Sequence, residues 1–237
     1  MSLQLRRTNL DRETPFAFSC MRCLACCRNK KIQINPYEIA RLARNRRLST
    51  ADFLDRYTTE GGTFLTWDAE GTCVFLDSQG CSVHEDRPLV CRLYPLGRHV
   101  RNTMEESLSE IEPDPECQGI YGKDGKIRDY LESQGALPFM AAADRYLSLF
   151  WKLYDVLQKD AIEPANRIAV VNVFTGSSAT AAEQYDILKD VDTAVTEYCK
   201  KTNSPFPNDI EEKISIHIRA IEAWANSSTG GEYEKAK

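Results

Sequence analysis

The sequence predicts an α+β chain in two parts: a small cysteine-rich domain with short helices and a β-hairpin, then a mostly α-helical C-terminal region. Three observations predict it. Eight of the nine cysteines fall between Cys20 and Cys117. Residues with strand preference crowd 63–84 around the turn-forming run Asp77-Ser-Gln-Gly80. From Phe139 onward, apolar residues recur at steps of three and four, the period of one helix face.

Composition sets the bounds. With 237 residues, 42% hydrophobic, and 30 basic against 35 acidic side chains, the chain carries a formal charge of only -5, which excludes a disordered chain. An isoelectric point near 5.4 gives no reason for a nucleic-acid partner. No window approaches the roughly 18 apolar residues of a membrane span, since Met140 to Leu157 carries Asp144, Arg145, Lys152 and Asp155. The first residues lack the apolar stretch of an export signal, so the expected location is cytoplasmic and no membrane partner is expected.

Taken in order, residues 1–19 read as a lead-in ending in the apolar anchors Phe16 and Phe18. Lys31-Ile-Gln-Ile34 alternates like a short strand. Asn35-Pro36-Tyr37-Glu38 then starts a helix, with Asn35 as cap, Pro36 at the first helical position and Glu38 at the capping-box position. Ser49-Thr50-Ala51-Asp52 starts a second, carrying Phe53, Leu54 and Tyr57. A DNA-binding helix pair is argued against by Asp52 and Asp55, which would face phosphate where lysine and arginine are needed.

Thr63 to Trp67 and Cys73 to Leu76 read as strands, with Cys73 and Cys81 near a hairpin. Arg87-Pro88 breaks the chain, and Leu89 to Tyr94 makes a helical turn stopped by Pro95. Glycines 119, 122, 125 and 135 thin the apolar pattern between Gln118 and Pro138, which marks the domain boundary. The expected division is therefore 1–125, a helical region 138–226 and a polar tail 227–237. Helix faces follow at Phe139, Ala143, Tyr146, Phe150, Leu153 and Leu157, at Tyr185, Leu188, Val191, Val195 and Tyr198, and at Ile210, Ile214, Ile218 and Ile221. Ile168 to Phe174 fits either a buried strand or a helix segment, and Cys199 packs as a small hydrophobe.

In a reducing cytosol, dense cysteines are metal ligands or catalytic thiols more often than a disulfide framework. Cysteines two residues apart can turn both sulfurs to one ion, as in zinc sites, and three at this spacing resemble the run that feeds an iron–sulfur cluster. Cys20, Cys23, Cys26 and Cys27 form the first group; Cys73, Cys81, Cys91 and Cys117 form the second. Eight thiolates suffice for two four-coordinate sites, a dinuclear site, or one cluster with thiols left over. His84, three residues after Cys81, is a ninth ligand or a hydrogen-bonding partner behind the ligands. Several thiolates on one ion leave negative charge that needs nearby cations, and Arg22, Arg28, Lys30, Lys31, Arg87, Arg92 and Arg98 flank the two groups. Arg87 and Arg92 are the expected supporting cations.

These residues resemble a zinc- or iron-chelating cysteine-cluster family named for its Cys-x2-Cys-x2-Cys-Cys run. The likeness rests on Cys20 to Cys27, on Cys81-Ser-Val-His-Glu-Asp-Arg87-Pro88-Leu-Val-Cys91-Arg92-Leu-Tyr94-Pro95 and on Cys117-Gln-Gly119. It covers roughly residues 16–122 and departs from the family at Leu24, where relatives commonly carry Gly. It implies metal chelation, by zinc or iron, through these cysteines. A related cysteine pattern in flagellin lysine N-methylases implies the alternative of S-adenosylmethionine-dependent methyl transfer to protein lysine. Gly119-Ile-Tyr-Gly122 does not fit a nucleotide-cradling loop. A metal hydrolase is weaker still, with His84, His99 and His217 the only histidines and His217 expected at a helix edge. A third reading makes the metal domain a stiffener and the C-terminal helices the surface for a protein partner.

Overall fold

The computed structural model describes residues 4–158 and 186–228. In chain order the elements are β1 (Leu5–Leu10), β2 (Pro15–Ser19), α1 (Pro36–Arg46), α2 (Thr50–Tyr57), β3 (Thr58–Thr59), β4 (Phe64–Leu65), β5 (Leu76–Asp77) and β6 (Gly80–Cys81). There follow α3 (Leu89–Leu93), β7 (Leu96–Val100), β8 (Glu106–Ile111), β9 (Ile120–Lys126), α4 (Ile127–Ser133), α5 (Leu137–Gln158), α6 (Val191–Thr202) and α7 (Ile210–Ser228). The chain is α+β, with small antiparallel sheets toward the N-terminus and helices toward the C-terminus. No described helix is long and apolar enough to cross a membrane. Ile168–Phe174, Tyr185 and most of the polar tail lie outside the described residues.

Contacts cluster into two units. The first takes Met1–Ile32 and Trp67–Ala142, the second Gln33–Thr66 and Ala143–Lys237. In the first, β1, β8 and β7 form a three-stranded antiparallel sheet in that order, and β2 pairs with β9. Its core is Phe16, Leu93, Leu96, Leu108, Ile127, Tyr130, Leu131, Ala136 and Met140. The lead-in expected at residues 1–19 is thus two strands. They escaped the sequence reading because their partners lie about a hundred positions away, Leu5 opposite Ile111 and Ser19 opposite Ile120. β1 and β8 are also held by ion pairs in place of an apolar pattern. Glu110 is only 4% exposed and takes Arg7 and Arg6, while Glu106 takes Arg12 and Arg98. Burial raises the Glu106 carboxyl, but the hydrogen bonds from Arg12 and Arg98 outweigh it and hold it below the usual value. The glycine-thinned stretch 118–138 is ordered as β9 and α4.

In the second unit, both expected helix starts form. Asn35 accepts from the Glu38 N–H and Glu38 returns a bond to the Asn35 N–H, the reciprocal capping box. Ser49 caps α2 by accepting from the Asp52 N–H at 3.1 Å. The strand expected at Lys31 to Ile34 reduces to one bridge, Gln33 to Phe64, because Ile34 gives its N–H to the Thr63 carbonyl as a single crossing bond. The strand expected over Thr63–Trp67 shrinks likewise to β4, and in the first unit the strand expected over Cys73–Leu76 shrinks to β5.

The starts of α2 and α6 satisfy each other. The Thr50 N–H donates to the Asp192 carboxylate at 2.9 Å, the Asp192 N–H donates to the Thr50 hydroxyl at 2.9 Å, and that hydroxyl donates to the buried Asp190 at 2.6 Å. Lys213 of α7 completes the set on Asp192 at 2.7 Å. Thr50→Val keeps the shape and removes the hydroxyl, leaving the Asp192 N–H without that acceptor and taking one donor from the buried Asp190, which keeps the Thr193 N–H. We expect a loss of about 2 kcal/mol in urea unfolding; an unchanged midpoint would contradict this role.

His217, expected at a helix edge, is fully buried. Its Nε2 lies 2.7 Å from the Ile187 carbonyl, which can only accept, so Nε2 carries the proton. Nδ1 then accepts from the Tyr146 hydroxyl at 2.7 Å. Ile214 and Ile221 bracket position 217 at steps of three and four, so the spacing already placed it on the buried face.

Candidate metal centre

The first four thiols ride on the loop that leaves β2. Two residues in it, Arg22 (φ 53) and Leu24 (φ 64), take the left-handed backbone conformation, and a 3-10 turn over Ala25–Cys27 follows. Ala25 is buried and anchors the turn. Leu24 stands in a conformation that glycine takes without strain. A β-branched side chain tolerates this backbone worst. Leu24→Val should therefore cost about 1–2 kcal/mol in urea unfolding while Leu24→Gly is tolerated; equal effects would contradict the strain.

Backbone bonds tie the loop to residues 71–73. The Cys73 N–H donates to the Cys27 carbonyl at 2.9 Å, the Asn29 N–H donates to the Gly71 carbonyl at 2.8 Å, and Arg28 bridges to Thr72. Cys81 sits in β6 opposite Leu76 of β5. Cys91 lies in α3, its N–H donating to the Pro88 carbonyl at 3.0 Å. Cys117 follows a turn closed by its N–H on the Asp114 carbonyl at 2.8 Å. Its sulfur accepts from the Gly119 N–H at 3.4 Å, and the Cys23 sulfur accepts from the Gln118 N–H at 3.5 Å. A Cβ on Gly119 would stand 2.3 Å from the Phe18 ring, so only glycine lets this turn lie against Phe18. Gly119→Ala should cost about 1–3 kcal/mol and loosen Cys117; wild-type stability in the variant would contradict it.

Cys20 is exposed, the other seven N-terminal cysteines are half-buried, and none of the nine is in a disulfide. Cys199, on α6, is buried as expected. The Cys26 and Cys27 thiols bond each other. The bond from Cys27 lowers the Cys26 thiol to about 7 against the cost of burial, with help from the charges of Lys30 and Arg87. Cys27 is pushed far up by accommodating Cys26, by burial and by the nearby charges of Cys26, Cys91 and Cys73. Burial, opposed by a bond from the Phe75 N–H, raises Cys73, and the charges of Cys81 and Cys26 add to the rise. These thiols cannot ionise together without a cation among them, which is the condition a thiolate metal site meets. Among the described residues, no three His, Cys, Asp or Glu side chains are already poised on one point.

The supporting residues are placed as follows. Arg87 donates to His84 Nδ1 at 3.2 Å and to Gln134 at 3.0 Å. His84 is exposed. Arg92, 6% exposed, donates to the carbonyls of Arg87, Gln134 and Glu85 and lies 3.9 Å from the Phe139 ring centroid. These bonds tie the backbone at Glu85 and Arg87, ahead of Cys91, to Gln134 at the end of α4. The sequence reading missed the backbone donors at Gln118 and Gly119 and the tyrosines around Cys117. Burial raises the Tyr94 and Tyr121 hydroxyls, and the Cys117 charge adds to the rise. Gly119, two residues after Cys117, was the available signal.

Thiols carried on a loop, a hairpin and a short helix, with cations beside them, define a cysteine-cluster domain. Residues 19–118 match the model of the family described as "Putative zinc- or iron-chelating domain", CxxCxxCC. The chain is also similar to an uncharacterized protein of Methanocaldococcus jannaschii, 29% identical over 117 residues, 48% of this chain and 63% of that protein. The chain thus spans less than two thirds of that relative's length. No solved structure matches.

Proposed function

We propose that this is a metal-chelating protein in which Cys20, Cys23, Cys26, Cys27, Cys73, Cys81, Cys91 and Cys117 hold zinc or an iron–sulfur centre in a reducing, cytoplasmic setting. The observation that carries the reading is the gathering of the Cys20–Cys27 loop and Cys73 by the Cys73 N–H bond to the Cys27 carbonyl, within the stretch 19–118 that matches the chelating family. Zinc would supply a closed four-thiolate staple; iron–sulfur would supply an electron carrier whose potential responds to N–H donors on sulfur. The chain's own part is to fix the loop by the Cys73-to-Cys27 bond, to point N–H groups at the Cys23 and Cys117 sulfurs, and to set Lys30 and Arg87 beside Cys26. The visible spectrum of the anaerobically purified full chain separates the metals. A brown protein with about four irons supports the redox centre, and a colourless one with about one or two zinc ions supports the staple.

A further inference from the structure

We propose that a cleft in the second unit, between the end of α1 and the start of α7, binds a small phosphate monoester through Arg44 and Arg47. The cleft is about 370 Å³, at the small end of the range of ligand pockets, and Arg44, Arg47 and Lys213 bring cations to it. Its apolar lining is Ala40, Ala43, Leu48, Pro207 and Ile210. A ligand with one charged head and a short apolar body matches that division.

The charges of the lining are not equally engaged. Its two carboxylates are already held: Asp192 accepts the Thr50 N–H and Lys213, and Asp209 accepts the Glu212 N–H at 2.8 Å. Arg44 and Arg47 are exposed, and neither side chain has a hydrogen-bonding or ion-pair partner among the described residues. Arg41, one turn earlier on α1, differs in donating to the Tyr37 hydroxyl at 2.9 Å. The unbalanced charge of the cleft is therefore positive, and it sits on guanidinium groups, whose paired N–H donors fit phosphate oxygens. Two such groups suit a doubly charged head, which a phosphate monoester carries above its second pKa of about 6.

The backbone at Arg47 points the same way. It closes α1 in the left-handed conformation (φ 57), its N–H on the Ala43 and Arg44 carbonyls and the Leu48 N–H on the Ala43 carbonyl at 3.0 Å. Helices that close in this way ordinarily take glycine at that position, because a side chain there is strained. Complementing the helix end does not require Arg47, since Arg44 and Arg46 already stand in the last turn. Arginine here costs stability and gives the cleft its second free guanidinium, as expected where strain is kept for a ligand. All eight cluster cysteines belong to the first unit, so this site stands apart from the chelation proposed above.

The test titrates the full, isotope-labelled chain with phenyl phosphate at low salt and about pH 7.5, above that second pKa, and follows the amide signals by two-dimensional NMR. Saturable shifts are expected at residues 40–48 and 207–213, with a Kd at or below about 1 mM. Inorganic phosphate, which lacks the apolar body, and benzoate, which carries half the charge, should both bind more weakly. Arg44→Gln and Arg47→Gly should each raise the Kd about tenfold or more. Arg47→Gly should do so with a urea midpoint no lower than the parent's, which a purely structural role for Arg47 would not give. Arg44→Gln carries the binding readout independently of that midpoint. No saturable shifts at these residues, an unchanged Kd in either variant, or inorganic phosphate or benzoate binding as tightly as phenyl phosphate overturns the proposal.

Discussion

Cys27→Ser is expected to lose metal and to cost roughly 3 kcal/mol of metal-linked stability, about a quarter of the 10–16 kcal/mol a structural thiolate site contributes to folding. Cys27 is where the cluster is most crowded. Its thiol bonds Cys26, feels Cys91 and Cys73, and its carbonyl receives the Cys73 N–H. Serine keeps the backbone bond and the volume but offers the ion no thiolate, so the loss isolates ligation from packing. Cys199→Ser is the control. That residue is buried on α6, away from the cluster in sequence, and its change should leave metal content untouched. Metal per chain, measured beside urea unfolding with and without chelator, reads both effects. Equal metal in the parent and Cys27→Ser would remove Cys27 from the ligand set.

Acid is expected to destabilise the second unit through His217. Burial pushes this histidine down to about 4, although the bond to the Ile187 carbonyl and the charges of Asp190 and Asp192 pull it upward. In the unfolded chain it takes up its proton at the ordinary value of about 6.5. The unfolded state therefore binds more protons between those two values. The stability His217 contributes is complete above about pH 6.5 and is lost as pH falls toward 4, at about 1.4 kcal/mol per unit or roughly 3 kcal/mol in all. Urea unfolding followed by tryptophan fluorescence between pH 7.5 and 4, run on the parent and on His217→Gln as about a dozen points each, separates this slope from that of the carboxylates. A slope that survives the substitution would assign the acid sensitivity elsewhere. Tyr146→Phe leaves Nδ1 buried without its donor and should cost about 1–3 kcal/mol even at neutral pH.

What could be read in the sequence was local. The Asn35–Glu38 capping box, the Ser49 cap and the stop of α3 before Pro95 depend on residues a few positions apart, and each formed as read. β1 and β8 did not declare themselves, because Arg7 and Glu110 make sense only as a pair brought from opposite ends of the domain. The same holds for Thr50, whose hydroxyl looked like a helix-start residue and turned out to cap another helix 140 positions on. At the candidate site the cysteines were legible from spacing. The Gln118 and Gly119 N–H groups on their sulfurs were not, since main-chain donors carry no sequence signature. His217 was legible in principle: its place between Ile214 and Ile221 put it inside, and its polarity argued it outside.

The most direct measurement of the central claim is the metal content of the full chain purified anaerobically and dialysed exhaustively. At least one tightly held zinc or iron per chain is expected, with the cluster thiols shielded from iodoacetamide until a chelator is added. A folded chain free of metal, with all eight cluster thiols alkylated at once, would contradict it.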